Sequence, residues 1–233
     1  MRQLALVKDL ILTPRASAEE ARELVGILHK RGPVIGTDEA GRGALAGPVI
    51  AAAVYLTPEQ EEALLSMKLR DSKKMTPLGR EKLFVKMQEL GVLWRAASGS
   101  IERIERDNIL QASLWAMAMS VRQVAQRLNE PPVCIVVDGT ERLPDLTFSQ
   151  WNLIGADNLV PAVSAASVVA KVTRDRIMRH LDAKYPEYHF ARNKGYPTRT
   201  HMEAVRSLGM SAIHRPSFCR KLLALREVND AFD

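Results

Sequence analysis

The sequence predicts an α/β fold in which a mixed sheet flanked by helices is followed by a small helical C-terminal region. Short apolar runs of strand length occur at residues 34–37, 49–56 and 133–137. They alternate with longer stretches whose apolar residues recur at helical spacing, and such alternation is typical of α/β domains. From Pro186 onward the chain is basic and rich in turn residues, which predicts a partly helical extension.

The first predicted helix begins at Ser17, which can form a capping box with Glu20. Apolar residues at helical spacing carry this helix to about Lys30, and Gly32-Pro33 ends it. The first two apolar runs then form strands that are joined by a glycine-rich turn.

A second helix is marked by Thr76 as its N-cap and Pro77 at its first position, and Gly91 ends it. A third strand is predicted at 92–98. After Asn108, apolar residues fall on one broad helical face, so a long amphipathic helix follows.

The run at 133–137 is apolar without interruption, which is typical of a parallel strand buried on both faces. It ends at Asp138-Gly139, and another strand is predicted at 148–154. Pro161 then opens a long helix that extends to about Tyr185. Because this helix is rich in alanine, we expect it to pack closely against its neighbours.

Composition narrows the functional classes. Apolar residues make up 46% of the 233 positions, which is enough for a substantial core. The net charge of +6 favours a polyanionic partner, although many soluble proteins carry such a charge. Cys134 and Cys219 form no zinc or disulfide pattern, and no segment fits a signal peptide or a membrane span. We therefore expect a soluble cytoplasmic protein with no membrane partner.

The most informative segment joins two carboxylates to a glycine turn. Asp38 and Glu39 follow an apolar run, and Gly41-Arg42-Gly43 comes directly after Ala40. Mg²⁺ and Mn²⁺ prefer carboxylate oxygens and bridge to phosphates, while a glycine turn lets the backbone approach a ligand and arginine adds a fixed cation. Since consecutive strand side chains point to opposite faces, Asp38 and Glu39 can serve one site only if the strand bends or ends there.

Two further acids are expected near this pair. Asp138 ends the buried strand, and the carboxyl ends of neighbouring parallel strands meet at one edge of a sheet. Asp157 lies just before a helix, whose dipole favours a carboxylate. Unit charges about 4 Å apart repel by roughly 4 kcal/mol at an effective dielectric of about 20, so four such acids in one cleft require divalent cations. Taken singly, Asp138 also fits a strand-ending turn and Asp157 a helix anchor.

An ordered set of motifs between residues 34 and 218 resembles the ribonuclease HII family, the type 2 ribonucleases H. The set comprises Gly36-Thr37-Asp38-Glu39-Ala40-Gly41-Arg42-Gly43, Asp71-Ser72-Lys73-Lys74, Asn108-Ile109-Leu110, Val137-Asp138-Gly139, Asp157 ahead of Pro161-Ala162-Val163-Ser164, Ala170-Lys171-Val172-Thr173-Arg174-Asp175, Lys194-Gly195-Tyr196 with His201, and His214-Arg215-Pro216-Ser217-Phe218. One small departure is Ala156, which stands between Gly155 and Asp157 where the family usually has Gly directly before Asp.

The resemblance implies a ribonuclease H-like fold with three parts: an N-terminal helical extension at 1–31, a catalytic domain at 32–190 and a C-terminal helical region at 191–233 that completes the substrate cleft. It implies hydrolysis of RNA in RNA–DNA hybrids, and cutting 5′ of single ribonucleotides embedded in duplex DNA, which starts their removal. The products carry a 5′-phosphate and a 3′-hydroxyl. Two Mg²⁺ or Mn²⁺ ions would be held by the catalytic residues Asp38, Glu39, Asp138 and Asp157.

The substrate contacts also come from the resemblance. The residues that match those reading the DNA–RNA junction are Gly41, Arg42, Gly43 and Tyr196. The strongest matches to phosphate contacts are Ser72 and Lys73. Weaker candidates are Lys74, Lys171, Arg174, Arg192 and Lys194, of which Arg192 and Lys194 fit a solvated surface equally well. The 2′-hydroxyl distinguishes RNA from DNA, and the backbone of a glycine turn can come close enough to bond it.

Two alternatives stay open from the sequence. A basic nucleic-acid-binding protein without catalysis would share the charge and the glycine turn, but it would gain nothing from four convergent acids. Another two-metal nuclease on the same fold would share the acids, and cutting at an isolated ribonucleotide would distinguish the two enzymes. A monomer is the expected oligomeric state.

Overall fold

The computed structural model describes residues 15–69, 75–220 and 222–223. In chain order its elements are α1 (Ala18–His29), β1 (Val34–Ala40), β2 (Val49–Tyr55), α2 (Pro58–Ser66), α3 (Pro77–Glu89), β3 (Leu93–Gly99), α4 (Ile101–Asp107), α5 (Ile109–Ala125), β4 (Cys134–Asp138), β5 (Gln150–Leu153), α6 (Ala156–Leu159), α7 (Pro161–Asp182), a 3₁₀ turn (Pro186–Tyr188), α8 (Phe190–Asn193) and α9 (Arg199–Leu208). None of the helices in these residues combines the length and the apolar character needed to cross a bilayer.

The five strands form one mixed sheet in the order β3-β2-β1-β4-β5. Strand β2 pairs antiparallel with both β1 and β3, whereas β4 pairs parallel with β1 and with β5. The predicted mixed α/β sheet is therefore confirmed. Because β1 and β4 are parallel neighbours, their carboxyl ends lie at the same edge, and Asp38 and Asp138 lie near those ends.

Helix α7 covers one face of the sheet at short range. Its residues Ala162, Ala166 and Val169 share a buried cluster with Val54 of β2. A Cβ atom on Gly36 of β1 would lie 2.3 Å from the carbonyl carbon of Ala162, so only glycine allows this approach. The predicted close packing of the alanine-rich helix is confirmed.

Helix α5 covers the opposite face. Leu114, Met117 and Val121 pack there with Ala51 of β2 and Ile135 of β4. The inner strands are thus buried on both faces, which explains why residues 133–137 are apolar without alternation.

Helix α1 extends the core beyond β1. Leu24 and Leu28 pack with Trp151 of β5. The predicted capping box is present, since the Ser17 hydroxyl accepts from the Glu20 N–H at 3.2 Å and the Ser17 N–H donates to the Glu20 carboxylate at 2.7 Å. Helix α1 therefore begins at its predicted cap and packs against the sheet.

The C-terminal region packs against the segment that follows the glycine turn. Tyr188, Phe190 and Val205 form a buried cluster with Ala46 and Met178. Backbone hydrogen bonds reinforce the contact, because the N–H of residue 45 donates to the carbonyl of residue 195 at 2.7 Å and the N–H of residue 47 donates to that of residue 213 at 2.8 Å. The turn is therefore fixed from the C-terminal side.

Three features differ from the sequence-based expectation. Strand β1 continues to Ala40, so Asp38 and Glu39 lie within its pairing with β2 and the strand ends one residue beyond them. Helices α2 and α4 were not predicted, although Thr57 and Ser100 cap them. Both are short, and short helices have weak periodicity that caps alone do not reveal.

Candidate active site

Asp38 is a buried carboxylate at the centre of the site. It is 4% exposed, and its Oδ1 accepts from the Glu39 N–H at 2.7 Å. Burial, followed by the charges of Glu39 and Asp138, raises the pKa of Asp38 to about 7, although Lys171 and the Ser167 hydroxyl oppose the rise. Asp38 thus lies close to two other acids and faces Ser167 and Lys171 of α7.

Glu39 shares this acidic environment. Burial raises its pKa, the neighbouring Arg42 lowers it, and the charge of Asp138 raises it again. The guanidinium of Arg42 contacts the Glu39 carboxylate at 3.4 Å. Although consecutive strand residues point to opposite faces, the charge of Asp138 acts on both Asp38 and Glu39, so both carboxylates lie near it.

Asp138 is the last residue of β4, which neighbours β1 in the sheet. Asp157 lies in α6, the helix that follows β5. The pairing of Thr37 with Val137 brings Asp138 beside Asp38 at the edge of the sheet. The Asp138 Oδ1 accepts from the Ala156 N–H at 2.8 Å, which ties α6 to the end of β4. Asp157 is fully buried, is the next residue along α6, and accepts from the Asn158 side chain at 3.0 Å.

Ala156, the residue that departs from the family pattern, has a structural role. Gly155 adopts φ = 71°, in the left-handed region, and serves as the N-cap of α6. Ala156 can then direct its N–H at Asp138. Ala156 therefore holds α6 in contact with the acidic edge through its backbone N–H.

The carboxylate groups of the four acids are suitable ligands for hard divalent cations. Glu39 and Asp138 raise the cost of ionising Asp38, and Asp138 raises that of ionising Glu39, so added positive charge would relieve both costs. Carboxylate oxygens are the preferred ligands of Mg²⁺ and Mn²⁺. Within the described ranges, no three acidic, histidine or cysteine side chains already adopt a metal-binding arrangement. The carboxylates would therefore have to move closer together when they bind an ion.

Asp38→Asn is expected to stabilise the metal-free protein. The pKa of Asp38 rises on folding from 3.8 to about 7, so the ionised group opposes folding. This cost is absent at pH values below the unfolded-state pKa and complete above the folded-state pKa. The free energy of unfolding of the variant should therefore exceed that of wild type by about 2–4 kcal/mol near pH 8 and by almost nothing near pH 4. Thermal melts in EDTA measure the gain.

Asp145→Asn provides the matched control for these melts. Asp145 is an exposed aspartate with φ = 52°, a conformation that asparagine tolerates. We expect its melting temperature to match that of the wild-type protein at both pH values. An Asp38→Asn protein no more stable than this control would argue against a crowded acidic site.

Two buried arginines hold the segment that contains the glycine turn. Arg174 of α7 donates from Nε to the Pro48 carbonyl at 3.1 Å and from Nη2 to that of Ala46 at 3.1 Å. Arg215 donates from Nε to the Gly47 carbonyl at 2.8 Å, and its Nη1 donates to the carbonyl of residue 42 at 3.0 Å. These carbonyls point into the protein, so the turn has one fixed peptide orientation.

The outer side of the turn is available to a ligand. Within the described part of the chain, the N–H groups of Arg42 and Gly43 donate no hydrogen bond, and both residues are exposed. Among the residues that the structure describes, a Cβ atom on Gly43 would meet nothing within 4 Å, whereas one on Gly41 would lie 2.0 Å from the Arg174 Nε. Gly41 is thus required by packing, and Gly43 borders open space.

The expectation that Arg174 contacts phosphate is wrong. Arg174 is 1% exposed, and its third donor, Nη1, is bonded to the Lys194 carbonyl at 2.8 Å. Its guanidinium carbon lies 5.1 Å from the centre of the Tyr196 ring. Arg174 therefore supports Tyr196, which is 40% exposed next to the turn segment. The sequence could not reveal this role, because the motif does not show whether its arginine is buried or exposed.

The remaining candidates for phosphate contacts differ in their surroundings. Ser72, Lys73 and Lys74 lie outside the described residues. Lys171 donates to the Ser167 hydroxyl at 2.5 Å and faces Asp38, while Lys194 donates to the Ala191 carbonyl. Arg192 is exposed. The sequence did not single out Arg215, Ser167 or the contact between His201 and His214, because each depends on residues that are distant along the chain.

Comparison with known proteins identifies the family. The sequence model described as Ribonuclease HII matches residues 35–221. This chain belongs to the ribonuclease HII family. It is 45% identical to a ribonuclease HII from Azorhizobium caulinodans over 87% of this chain and 78% of the relative, and 46% identical to one from Marinomonas sp. over 78% and 88%.

Solved structures show the same fold. The chain is similar to the crystal structure of ribonuclease H2 from Pyrococcus horikoshii OT3, with a TM-score of 0.66, 26% identity, and coverage of 84% of this chain and 99% of that one. It also resembles the fold of Bst-RNase HIII, whose structure was determined in complex with Mn²⁺, with a TM-score of 0.70, 17% identity, and coverage of 84% and 70%.

Membership of the ribonuclease HII family decides the class of protein. The chain is a ribonuclease H hydrolase that acts on RNA–DNA hybrids, and the family depends on divalent metal ions. The alternative of a binding protein without catalysis is therefore wrong. The acidic edge of the sheet, with the glycine turn beside it, is the candidate active site of this enzyme.

Proposed function

We propose that this ribonuclease HII cuts on the 5′ side of single ribonucleotides embedded in duplex DNA, as well as within RNA–DNA hybrids. It leaves a 5′-phosphate and a 3′-hydroxyl, and it uses two Mg²⁺ or Mn²⁺ ions. The observation that carries the proposal is the pairing of β1 with β4, which supports a cluster of Asp38, Glu39 and Asp138 beside the exposed glycine turn.

The residues proposed to hold the ions are Asp38, Glu39, Asp138 and Asp157. When bound, such ions would lower the pKa of the attacking water and stabilise the negative charge that develops on the phosphate in the transition state. The protein fixes the orientation of two of the carboxylates, because backbone N–H groups bond one oxygen of Asp38 and one of Asp138. These bonds limit the rotation of both side chains, so ion binding has fewer side-chain conformations to exclude.

The junction is proposed to be read by the turn and by Tyr196. The N–H groups of Arg42 and Gly43, which bond to none of the described residues, can donate to the 2′-hydroxyl or to the adjacent phosphate. The Arg42 side chain is half-exposed and can contact phosphate as well. The exposed ring of Tyr196 can stack on the neighbouring sugar or base. A single 2′-hydroxyl thus suffices for recognition.

Mapping of the cut position tests the proposal. The substrate is a DNA duplex with one ribonucleotide and a label at each end in turn, incubated with Mg²⁺, with Mn²⁺ or with EDTA. We expect one cut 5′ of the ribonucleotide, a 3′-hydroxyl on the upstream product, and no cutting in EDTA. A cut elsewhere, or cleavage of continuous hybrids only, would contradict the proposal and favour another nuclease on this fold.

Tyr196→Ala is expected to impair junction cleavage more than hybrid cleavage. Loss of one stacked ring costs roughly 1–3 kcal/mol, so kcat/KM on the single-ribonucleotide duplex should fall about 10–100-fold. A continuous hybrid offers many registers and should lose about threefold or less. Tyr196→Phe keeps the ring and serves as the control, and equal losses on both substrates would remove Tyr196 from junction recognition.

Several further expectations belong to the same proposal. Ser72 and Lys73 are proposed as phosphate contacts from their motif alone. The division into an N-terminal extension, a catalytic domain and a C-terminal region that completes the cleft, a monomeric state and a cytoplasmic location stay predictions. Gel filtration coupled to light scattering measures the oligomeric state directly.

A further inference from the structure

Two buried histidines form a direct hydrogen bond below Tyr196. The Nε2 atoms of His201 and His214 are 3.0 Å apart, and both side chains are almost fully buried. The Nδ1 of His201 lies 2.9 Å from the Tyr196 carbonyl oxygen, and the Ser211 N–H donates to the Nδ1 of His214 at 2.9 Å. The two rings therefore connect residue 211 with Tyr196.

The partners at the two ends fix the direction of the protons. The Ser211 N–H can only donate, so the Nδ1 of His214 accepts and its proton is on Nε2. The Nε2 of His201 must then accept, and its proton is on Nδ1, which donates to the Tyr196 carbonyl. With both rings neutral, every ring nitrogen has a partner. A second proton on His201 would set its Nε2–H against that of His214. One on the His214 Nδ1 would oppose the Ser211 N–H and could be accepted only by the Ser211 hydroxyl, which lies 2.8 Å away.

The surroundings favour this neutral state. The rings of Tyr188 and Phe190 pack on the pair, with centroids 4.8 Å and 5.6 Å from that of His214. Burial and the neighbouring His201 lower the pKa of His214 to about 4, and burial also lowers the pKa of His201. Both shifts thus favour the neutral rings that the hydrogen bonds require.

The pair also connects the two elements proposed to read the junction. His214 forms an isolated β-bridge with Ala46, and the next residue, Arg215, donates its backbone N–H to the Leu45 carbonyl at 2.8 Å. The segment with His214 is thus joined to the chain that follows the glycine turn. On the other side, His201 holds the carbonyl of Tyr196. The histidine contact spans from one element to the other.

We propose that His201 and His214 are positioning residues that hold Tyr196 at a fixed separation from the Gly41-Arg42-Gly43 turn and so set the preference for single ribonucleotides. They contact no substrate themselves. This inference rests on the proposed junction recognition by Tyr196. Its effect should appear in the ratio of kcat/KM on the single-ribonucleotide duplex to kcat/KM on a continuous hybrid.

His214→Leu and His214→Gln form a matched pair of tests. Leucine removes the donor to His201, whereas glutamine places an amide N–H near the Nε2 position. We expect the selectivity ratio to fall about tenfold in His214→Leu and to stay within about threefold of wild type in His214→Gln. A general loss of structure would lower both activities together and leave the ratio unchanged.

The same substitution in a Tyr196→Ala background identifies the route of the effect. If His214 acts through Tyr196, then His214→Leu should cause no further fall in the ratio once the ring is absent. A ratio that depends on Tyr196 but is unaffected by His214→Leu would overturn the inference alone. A wild-type ratio that does not depend on Tyr196 would overturn both the inference and the junction role.

A measurement on the wild-type protein avoids any failure of the variants to fold. Long-range proton–nitrogen NMR spectra of ¹⁵N-histidine-labelled protein report the tautomer of each ring. We expect one buried histidine with its proton on Nε2 and one with its proton on Nδ1, assigned to His214 and His201 by His201→Asn. Two identical tautomers, or a charged ring at neutral pH, would overturn the inference.

Discussion

Asp38→Asn and Asp138→Asn are each expected to lower the rate of cleavage on the order of 10³-fold while leaving duplex affinity within about threefold. Each change removes one negative charge from the proposed ion site but retains the shape of the side chain. Asparagine also keeps an acceptor for the N–H that now bonds Asp38 or Asp138. The loss should therefore reflect metal binding and not a displaced strand.

Single-turnover cleavage of the single-ribonucleotide duplex measures this effect, and fluorescence anisotropy in EDTA measures duplex affinity. The control is Asp145→Asn, which removes one negative charge from an exposed turn and should keep the wild-type rate. Cleavage within about tenfold of wild type in either active-site variant would show that the carboxylate is not a required ligand.

Gly41→Ala is expected to lower the free energy of unfolding by about 2–4 kcal/mol and junction cleavage on the order of 10²-fold. Gly41 has φ = 99°, a conformation that alanine rarely adopts, and its Cβ would lie 2.0 Å from the Arg174 Nε. Arg174 cannot move aside without losing its bonds to the carbonyls of Ala46 and Pro48. The turn would therefore shift relative to Tyr196.

Gly43→Ala is the matched variant for stability. Its Cβ would meet none of the described atoms within 4 Å, so we expect the free energy of unfolding to change by about 0.5 kcal/mol or less. Any loss of cleavage in this variant reports a contact with the substrate and not a strained backbone. Urea denaturation and single-turnover kinetics compare the two proteins. Equal stability of Gly41→Ala and Gly43→Ala would contradict the role assigned to Arg174.

The sequence was sufficient to predict the mixed sheet and its long helices, because their signals are local. The capping box at Ser17, the uninterrupted apolar run at 133–137 and the alanine-rich helix after Pro161 each depend on neighbouring residues. The acids at the ends of β1 and β4 could also be singled out, since strand ends collect at one edge of a parallel pair.

What the sequence could not predict depends on contacts between distant parts of the chain. Arg174 fits a surface phosphate contact by type, yet it bonds carbonyls more than a hundred residues away. The contact of His201 with His214 likewise requires the C-terminal region to fold back on Ala46. Residue type limits such roles, but only the tertiary structure decides among them.

Binding of Mn²⁺ tests the central claim most directly. Electron paramagnetic resonance detects free Mn²⁺, so the number of ions removed by the protein can be counted in the presence of an all-DNA duplex that cannot be cut. The proposed site predicts two bound ions per chain for wild type and Asp145→Asn, and a clear loss of binding for Asp38→Asn and Asp138→Asn. Equal Mn²⁺ binding by all four proteins would contradict the claim that Asp38 and Asp138 hold the catalytic ions.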